Sequence, residues 1–176
     1  TTTFPCTVNW PYMPLVEHGG QRVMPIRQSF GIRNKTGLIF IDGDMYYVMY
    51  TPGLNSDAKT REEAIWKYAG KCGAYVFKST DCGRTWDYLS QVLINDEVFS
   101  TEKYFEGFSE PNMKVMPDGS VVMLLRTGTT HPSYIVRSYD NCKTWTKPEK
   151  FDDFGVLPQL LTLECGVTLS TYGRPT

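Results

Sequence analysis

Apolar positions in this chain come in short runs of roughly four to eight residues between Gly, Pro, Asp and Asn, from Ser29 to the end. Runs of that length read as β-strands. The stretch that organises the rest is residues 107–126, GFSEPNMKVMPDGSVVMLLR. Met113 and Val115 on one side, and Val121 to Leu125 on the other, flank the turn tripeptide Pro117-Asp118-Gly119, so the pattern predicts a β-hairpin. Glu110 is expected to open its first strand and Arg126 to close its second. Strands that leave and return through one turn bring their far ends together, which places this carboxylate and guanidinium at one edge of the sheet. Helical signal is almost confined to residues 59–67, KTREEAIWK, a possible two-turn helix with Glu62 and Glu63 near its start and Lys67 near its end. Residues 1–29, with Pro5, Pro11, Pro14, Pro25 and Gly19-Gly20, read as an irregular lead-in with a short strand near residues 22–26. The expected fold class is all-β.

Two patterns recur. One is strand, acidic-Gly turn, strand: residues 37–50 around Asp42-Gly43-Asp44, the Glu110 hairpin, and residues 158–169 around Glu164-Cys165-Gly166. The other follows the first two copies, as residues 73–86 ending Ser79-Thr80-Asp81-Cys82-Gly83-Arg84-Thr85-Trp86 and residues 134–145 ending Ser138-Tyr139-Asp140-Asn141-Cys142-Lys143-Thr144-Trp145. Each pair supplies four short strands, the content of one blade of a β-propeller. The predicted layout is a lead-in at 1–29, a first blade at 30–91 with an inserted loop at 53–72, a second blade at 108–150 and the start of a third at 156–176.

Composition narrows the possibilities. The chain's 176 residues, 41% hydrophobic and 14% aromatic, suffice for one domain's core. A formal net charge of −1 gives no electrostatic case for nucleic acid or a membrane surface, and no run approaches the roughly 20 apolar residues of a membrane span. Thr1-Thr2-Thr3-Phe4 is neither an initiator nor a signal peptide, so the chain reads as trimmed at its start. Five cysteines (Cys6, Cys72, Cys82, Cys142, Cys165) lack CxxC spacing, and His18 and His131 lack partners at ligand spacing, so neither a metal nor another cofactor is expected and both histidines read as surface residues. The odd cysteine count leaves at least one thiol free, with one disulfide among the rest left open.

The octamer at Ser79–Trp86 resembles the Asp-box, S/T-x-D-x-G-x-T-W, of the sialidase superfamily. Ser138–Trp145 matches it except for Cys142 at the glycine, and the two copies lie 59 positions apart. In such a turn the Asp carboxylate accepts backbone N–H groups, Gly supplies a positive φ and Trp folds back on the blade, so Asp81 and Asp140 are read as structural. The segment Ser109-Glu110-Pro111, the Pro117-Asp118-Gly119 turn and Arg126, 16 positions after Glu110, resemble the hairpin of bacterial and animal exo-α-sialidases. The resemblance implies a six-bladed propeller and a retaining glycoside hydrolase that releases a terminal acidic sugar. It makes Glu110 the base that polarises a tyrosine nucleophile, and Arg126 one of three arginines that bind the substrate carboxylate. A guanidinium offers a carboxylate two parallel hydrogen bonds, and a phenol with a pKa near 10 needs a carboxylate beside it to attack at neutral pH.

Alignment of the hairpins on their turns adds Arg174, eight positions after Gly166, and Arg33, ten before Gly43, as further carboxylate ligands. Around Arg33 the chain reads Phe30-Gly31-Ile32-Arg33-Asn34, where the family usually has F/Y-R-I-P. Asp57, 24 positions after Arg33 on the inserted loop, is compatible with the family's acid/base aspartate, and Trp66 and Tyr68 could line a sugar site. No tyrosine is assigned as nucleophile; Tyr172 lies near Arg174 without the motif. About two and a half blades fit in this chain, so the remainder of the ring is expected from a longer chain or from other subunits, and the resemblance suggests a secreted or periplasmic setting. A five-bladed arabinanase- or xylosidase-like enzyme, a lyase acting on uronic-acid polymers and a glycan-binding propeller without chemistry stay open as alternatives.

Overall fold

The computed structural model describes residues 16–18, 21–23, 37–52 and 71–173. The described secondary structure is twelve strands with no helix. A small hairpin, β1 (Val16–His18) and β2 (Gln21–Val23), falls within the expected lead-in. A four-stranded antiparallel meander follows, built of β3 (Leu38–Ile41), β4 (Asp44–Pro52), β5 (Cys72–Ser79) and β6 (Asp87–Val92). The second meander is β7 (Phe105–Val115), β8 (Val121–Gly128), β9 (Ser133–Ser138) and β10 (Glu149–Asp152). A last hairpin joins β11 (Val156–Thr162) to β12 (Thr168–Gly173). The two meanders meet where β5 and β7 run parallel at a single pair, Cys72 with Gly107.

Turn chemistry explains the repeat. Asp42 (φ 52°) and Gly43 (φ 89°) close β3 onto β4 as a two-residue turn of the kind that needs positive φ at both centres. The other two hairpins share one five-residue turn. Met116 N–H donates to the Ser120 carbonyl at 2.8 Å and Leu163 N–H to the Val167 carbonyl at 2.8 Å, with Gly119 (φ 82°) and Gly166 (φ 86°) at equivalent places.

The Asp-box octamers link β5 to β6 and β9 to β10. Asp81 accepts the Thr85 amide at 2.9 Å and its hydroxyl at 2.7 Å; Asp140 accepts the Thr144 amide at 2.9 Å and its hydroxyl at 2.6 Å. Ser79 and Ser138 each bridge to the Asp carboxylate and accept the amide of the residue at the glycine position, Gly83 or Cys142. These donors hold both carboxyls at about 2, below the ordinary 3.8. Cys142 takes the left-handed conformation (φ 64°) that Gly83 takes (φ 80°). Trp86 is buried against Met45, Tyr47 and Phe77, whereas Trp145 donates its indole N–H to Ser90 Oγ at 3.0 Å and so ties the second meander to the outer strand of the first.

The main core lies between the meanders. Val48, Ala74 and Val76 from the first pack in one cluster with Phe108, Met113, Val121, Met123 and Leu125 from the second, and all eight are almost wholly buried. Every residue of β8 is buried, so Arg126 enters the interior on a strand that is otherwise apolar up to Thr127. His131 is corrected from a surface residue to a buried one. It is 4% exposed, with Nε2 3.0 Å from the Lys103 carbonyl and its ring edge-on to Phe105. The apolar body of the imidazole fills the space that Phe105 and Gly128 leave, and Gly128 has room for no side chain there.

Candidate functional site at the bulged strand

Strand β7 does not pair evenly with β8. Phe105 faces Gly128, Ser109 faces Arg126 and Asn112 faces Leu124, so four steps along β7 match two along β8 and the next three match two. The surplus residues form bulges, which bend a strand and re-aim its side chains. Gly107 (φ 85°) and Glu110 (φ 46°) take the left-handed backbone there. Only glycine fits at 107, because a Cβ would lie 2.5 Å from the Cys72 nitrogen and 2.6 Å from its oxygen. At Glu110 the same backbone is strained, and the side chain makes long-range contacts. Glu110 therefore lies inside β7 rather than at its start, which is corrected to Phe105.

Arg126 is the centre of the cluster. Its side chain is 9% exposed, and its two terminal nitrogens lie 3.0 and 2.9 Å from Oε2 and Oε1 of Glu106, a fork-to-fork pair. Nη1 also lies 3.1 Å from Oε1 of Glu110, and Nη2 donates to Thr129 Oγ1 at 3.0 Å. Nε is buried without a hydrogen-bond partner among the described residues. Ser109 Oγ donates to Glu106 Oε2 at 3.2 Å. The second oxygen of Glu110 accepts the amide of Leu157 at 2.8 Å, and Asn112 Oδ1 accepts that of Leu160 at 3.1 Å, so β7 side chains hold the backbone of β11.

A phenol and a thiol lie close by on the first meander. Tyr50 pairs with Ala74 on β5, two pairs from the Pro52–Cys72 pair, and Cys72 is the residue that meets Gly107. Burial raises the Tyr50 pKa above its ordinary 10, and the negative charges of Glu110 and Glu106 raise it further. Burial, followed by Glu106, pushes the Cys72 thiol up to about 12. Both groups therefore stay protonated at neutral pH, with Tyr50 within electrostatic reach of two carboxylates.

Comparison with known proteins fits the two Asp-box turns. The family model for the BNR repeat-like domain matches residues 38–160, more than half of the chain. The chain belongs to the BNR repeat-like domain family. The all-β architecture, with its repeated four-stranded meanders, is of β-propeller type. Among solved structures, a protein of unknown function from Dyadobacter fermentans DSM 18053 matches with a TM-score of 0.60 and 26% identity over 80% of this chain and 34% of that one. Zg3597, a family 117 glycoside hydrolase from Zobellia galactanivorans, matches more loosely, with a TM-score of 0.46 and 16% identity over 73% of this chain and 44% of that one. The BNR repeat-like chain thus spans about a third of the length of the first of these and under half of the second. No curated protein matches it.

Of the residues expected at a site in this BNR repeat-like domain, Glu110 and Arg126 come together. Arg33, Asp57 and Arg174 lie outside the described residues, as do Trp66, Tyr68 and the expected helix at 59–67. Tyr172 hydrogen-bonds Asp152 and is otherwise exposed. Cys72, Cys142 and Cys165 are free thiols. Among the described residues no helix is long and apolar enough to cross a membrane, and no three His, Cys, Asp or Glu side chains group as metal ligands. Glu106, Tyr50 and Thr129 escaped the sequence reading. The four-residue spacing of Glu106 and Glu110, which a regular strand would put on one face, was the available signal for Glu106.

Proposed function

We propose that this BNR repeat-like domain contributes Glu110 and Arg126 to a glycoside hydrolase site related to that of exo-α-sialidases, on a propeller of which this chain forms two blades and the opening hairpin of a third. The observation that carries the reading is Glu110 itself: a strained left-handed residue whose carboxylate touches a buried guanidinium at 3.1 Å. Strain of this kind costs roughly 1–3 kcal/mol and persists where the surroundings enforce it, which happens most often at functional sites.

In this reading Glu110 is the carboxylate that draws a proton from the attacking group, a tyrosine supplied by a later part of the ring. Arg126 orients Glu110 through the 3.1 Å contact. Asp57 on the inserted loop serves as acid/base. The resemblance suggests that a terminal sugar is released with retention by a secreted or periplasmic enzyme. Tyr50, protonated beside Glu110, donates a hydrogen bond to a sugar hydroxyl.

The test is release of a fluorogenic aglycone from a panel of α-sialoside, uronide and neutral glycosides by the protein that carries this chain. Glu110→Gln should lower kcat by about 10²–10⁴-fold, the usual contribution of a positioned acid or base, and leave ligand binding within a few-fold. Unchanged turnover in Glu110→Gln would make Glu110 a structural cap for the Leu157 amide and nothing more.

A further inference from the structure

We propose that Glu106 sets the substrate class of this site: it occupies the guanidinium edge of Arg126, so the site takes an uncharged sugar and rejects a carboxylate. The proposal deepens the glycoside hydrolase reading and rests on it. Arginine recognises a carboxylate through two parallel N–H donors, and in Arg126 both terminal nitrogens already serve Glu106 in that geometry, at 3.0 and 2.9 Å. Their remaining capacity goes to Glu110 and Thr129. The Nε donor is buried, out of reach of a ligand.

The charge balance points the same way. Among the described residues Glu106 and Glu110 make direct ion contact with one cation, Arg126. Lys71 is turned to the Phe105 carbonyl and ring. An incoming anion would meet two carboxylates across a guanidinium they have already neutralised, and like charges in a half-buried site repel strongly. What the site offers instead is hydrogen bonding suited to hydroxyls: the Tyr50 phenol, the Thr129 hydroxyl, and carboxylate oxygens able to accept from sugar hydroxyls. The Glu106 clamp is built into the fold, because Gly107 beside it admits no side chain and Ser109 holds its Oε2.

The experiment measures binding and turnover in the protein that carries this chain and in Glu106→Gln, with melting curves to confirm that both fold. Calorimetric titration with glucuronate and with N-acetylneuraminate should give no saturable binding to the wild type, and at least ten-fold tighter binding to Glu106→Gln, whose amide no longer satisfies Arg126. Glu106→Asp, which keeps the charge and releases one nitrogen, should fall between them and serves if Glu106→Gln is unfolded. Turnover should be confined to neutral aryl glycosides. Equal affinity of wild type and Glu106→Gln for both acids, or turnover of the α-sialoside by the wild type, would overturn the proposal. Rejection of acids by the wild type, relieved in Glu106→Gln but with no glycoside cleaved, would sink the hydrolase reading and leave the selectivity role of Glu106 standing.

Discussion

Asp140 and Glu110 are both carboxylates that accept a backbone amide, and they illustrate two uses of one chemical group. Asp140 takes its partners from residues three and four positions ahead: the Lys143 and Thr144 amides and the Thr144 hydroxyl. Its backbone is unremarkable for a turn, and Asp81 repeats the arrangement. Glu110 takes its partners from Arg126 and from Leu157 on another hairpin, and holds a left-handed backbone to do so. A carboxylate satisfied by its own turn is a staple. A carboxylate that reaches distant elements through strained backbone has been placed there by the fold, and it remains partly exposed, at 21% of its side chain. Spacing in the sequence therefore suffices to interpret the Asp-boxes, while the bulged strand has to be understood from its register.

The sharpest way to break this contrast is at Gly107. Gly107→Ala adds a Cβ into the Cys72 backbone at an unfavourable φ, so a loss of about 3 kcal/mol or more is expected by urea unfolding, with Arg126 and Glu106 displaced. Gly119→Ala has a similar φ of 82° but open space around it, so it should lose only about 1–2 kcal/mol. Equal losses would mean that the β5–β7 approach is not what constrains the rim.

Next in size is the acid response of the Asp-boxes. Both carboxyls sit at about 2 in the folded protein against an ordinary 3.8, so they bind protons less readily folded than unfolded. Their stabilisation is present above about pH 4 and is lost as pH falls from there toward about 2. Thermal melts across that window should show a steeper acid loss for the wild type than for Asp140→Asn, and parallel curves would contradict the staple role. The smallest effect expected is that of Cys142→Gly. It relieves a left-handed backbone worth about 1–2 kcal/mol and gives up a small buried side chain of similar worth, so stability should change by less than about 1 kcal/mol.

Much of the fold was legible because it is local. Pro117-Asp118-Gly119 between apolar runs named a hairpin, and two octamers of one pattern named the link between the third and fourth strand of each meander. The Glu110–Arg126 contact was legible too, since a hairpin brings its far ends together whatever the details of its register. Glu106 was legible only as a four-residue spacing from Glu110, a weak signal here because the surplus residues of β7 change which side chains share a face, and a bulge has no sequence signature beyond a glycine such as Gly107. Tyr50 comes near Glu110 because the first meander packs against β7, where Cys72 pairs with Gly107, a non-local contact that no periodicity encodes. His131 looked like a surface residue for want of a ligand-spaced partner, whereas its partners are a backbone carbonyl and an aromatic ring.

The most direct measurement is kcat on the best fluorogenic glycoside for wild type, Glu110→Gln and Asp140→Asn side by side, each normalised to folded protein. The account predicts that Glu110→Gln loses about 10²–10⁴-fold and that Asp140→Asn keeps the wild-type rate. Equal rates for all three would show that Glu110, like Asp140, only staples backbone.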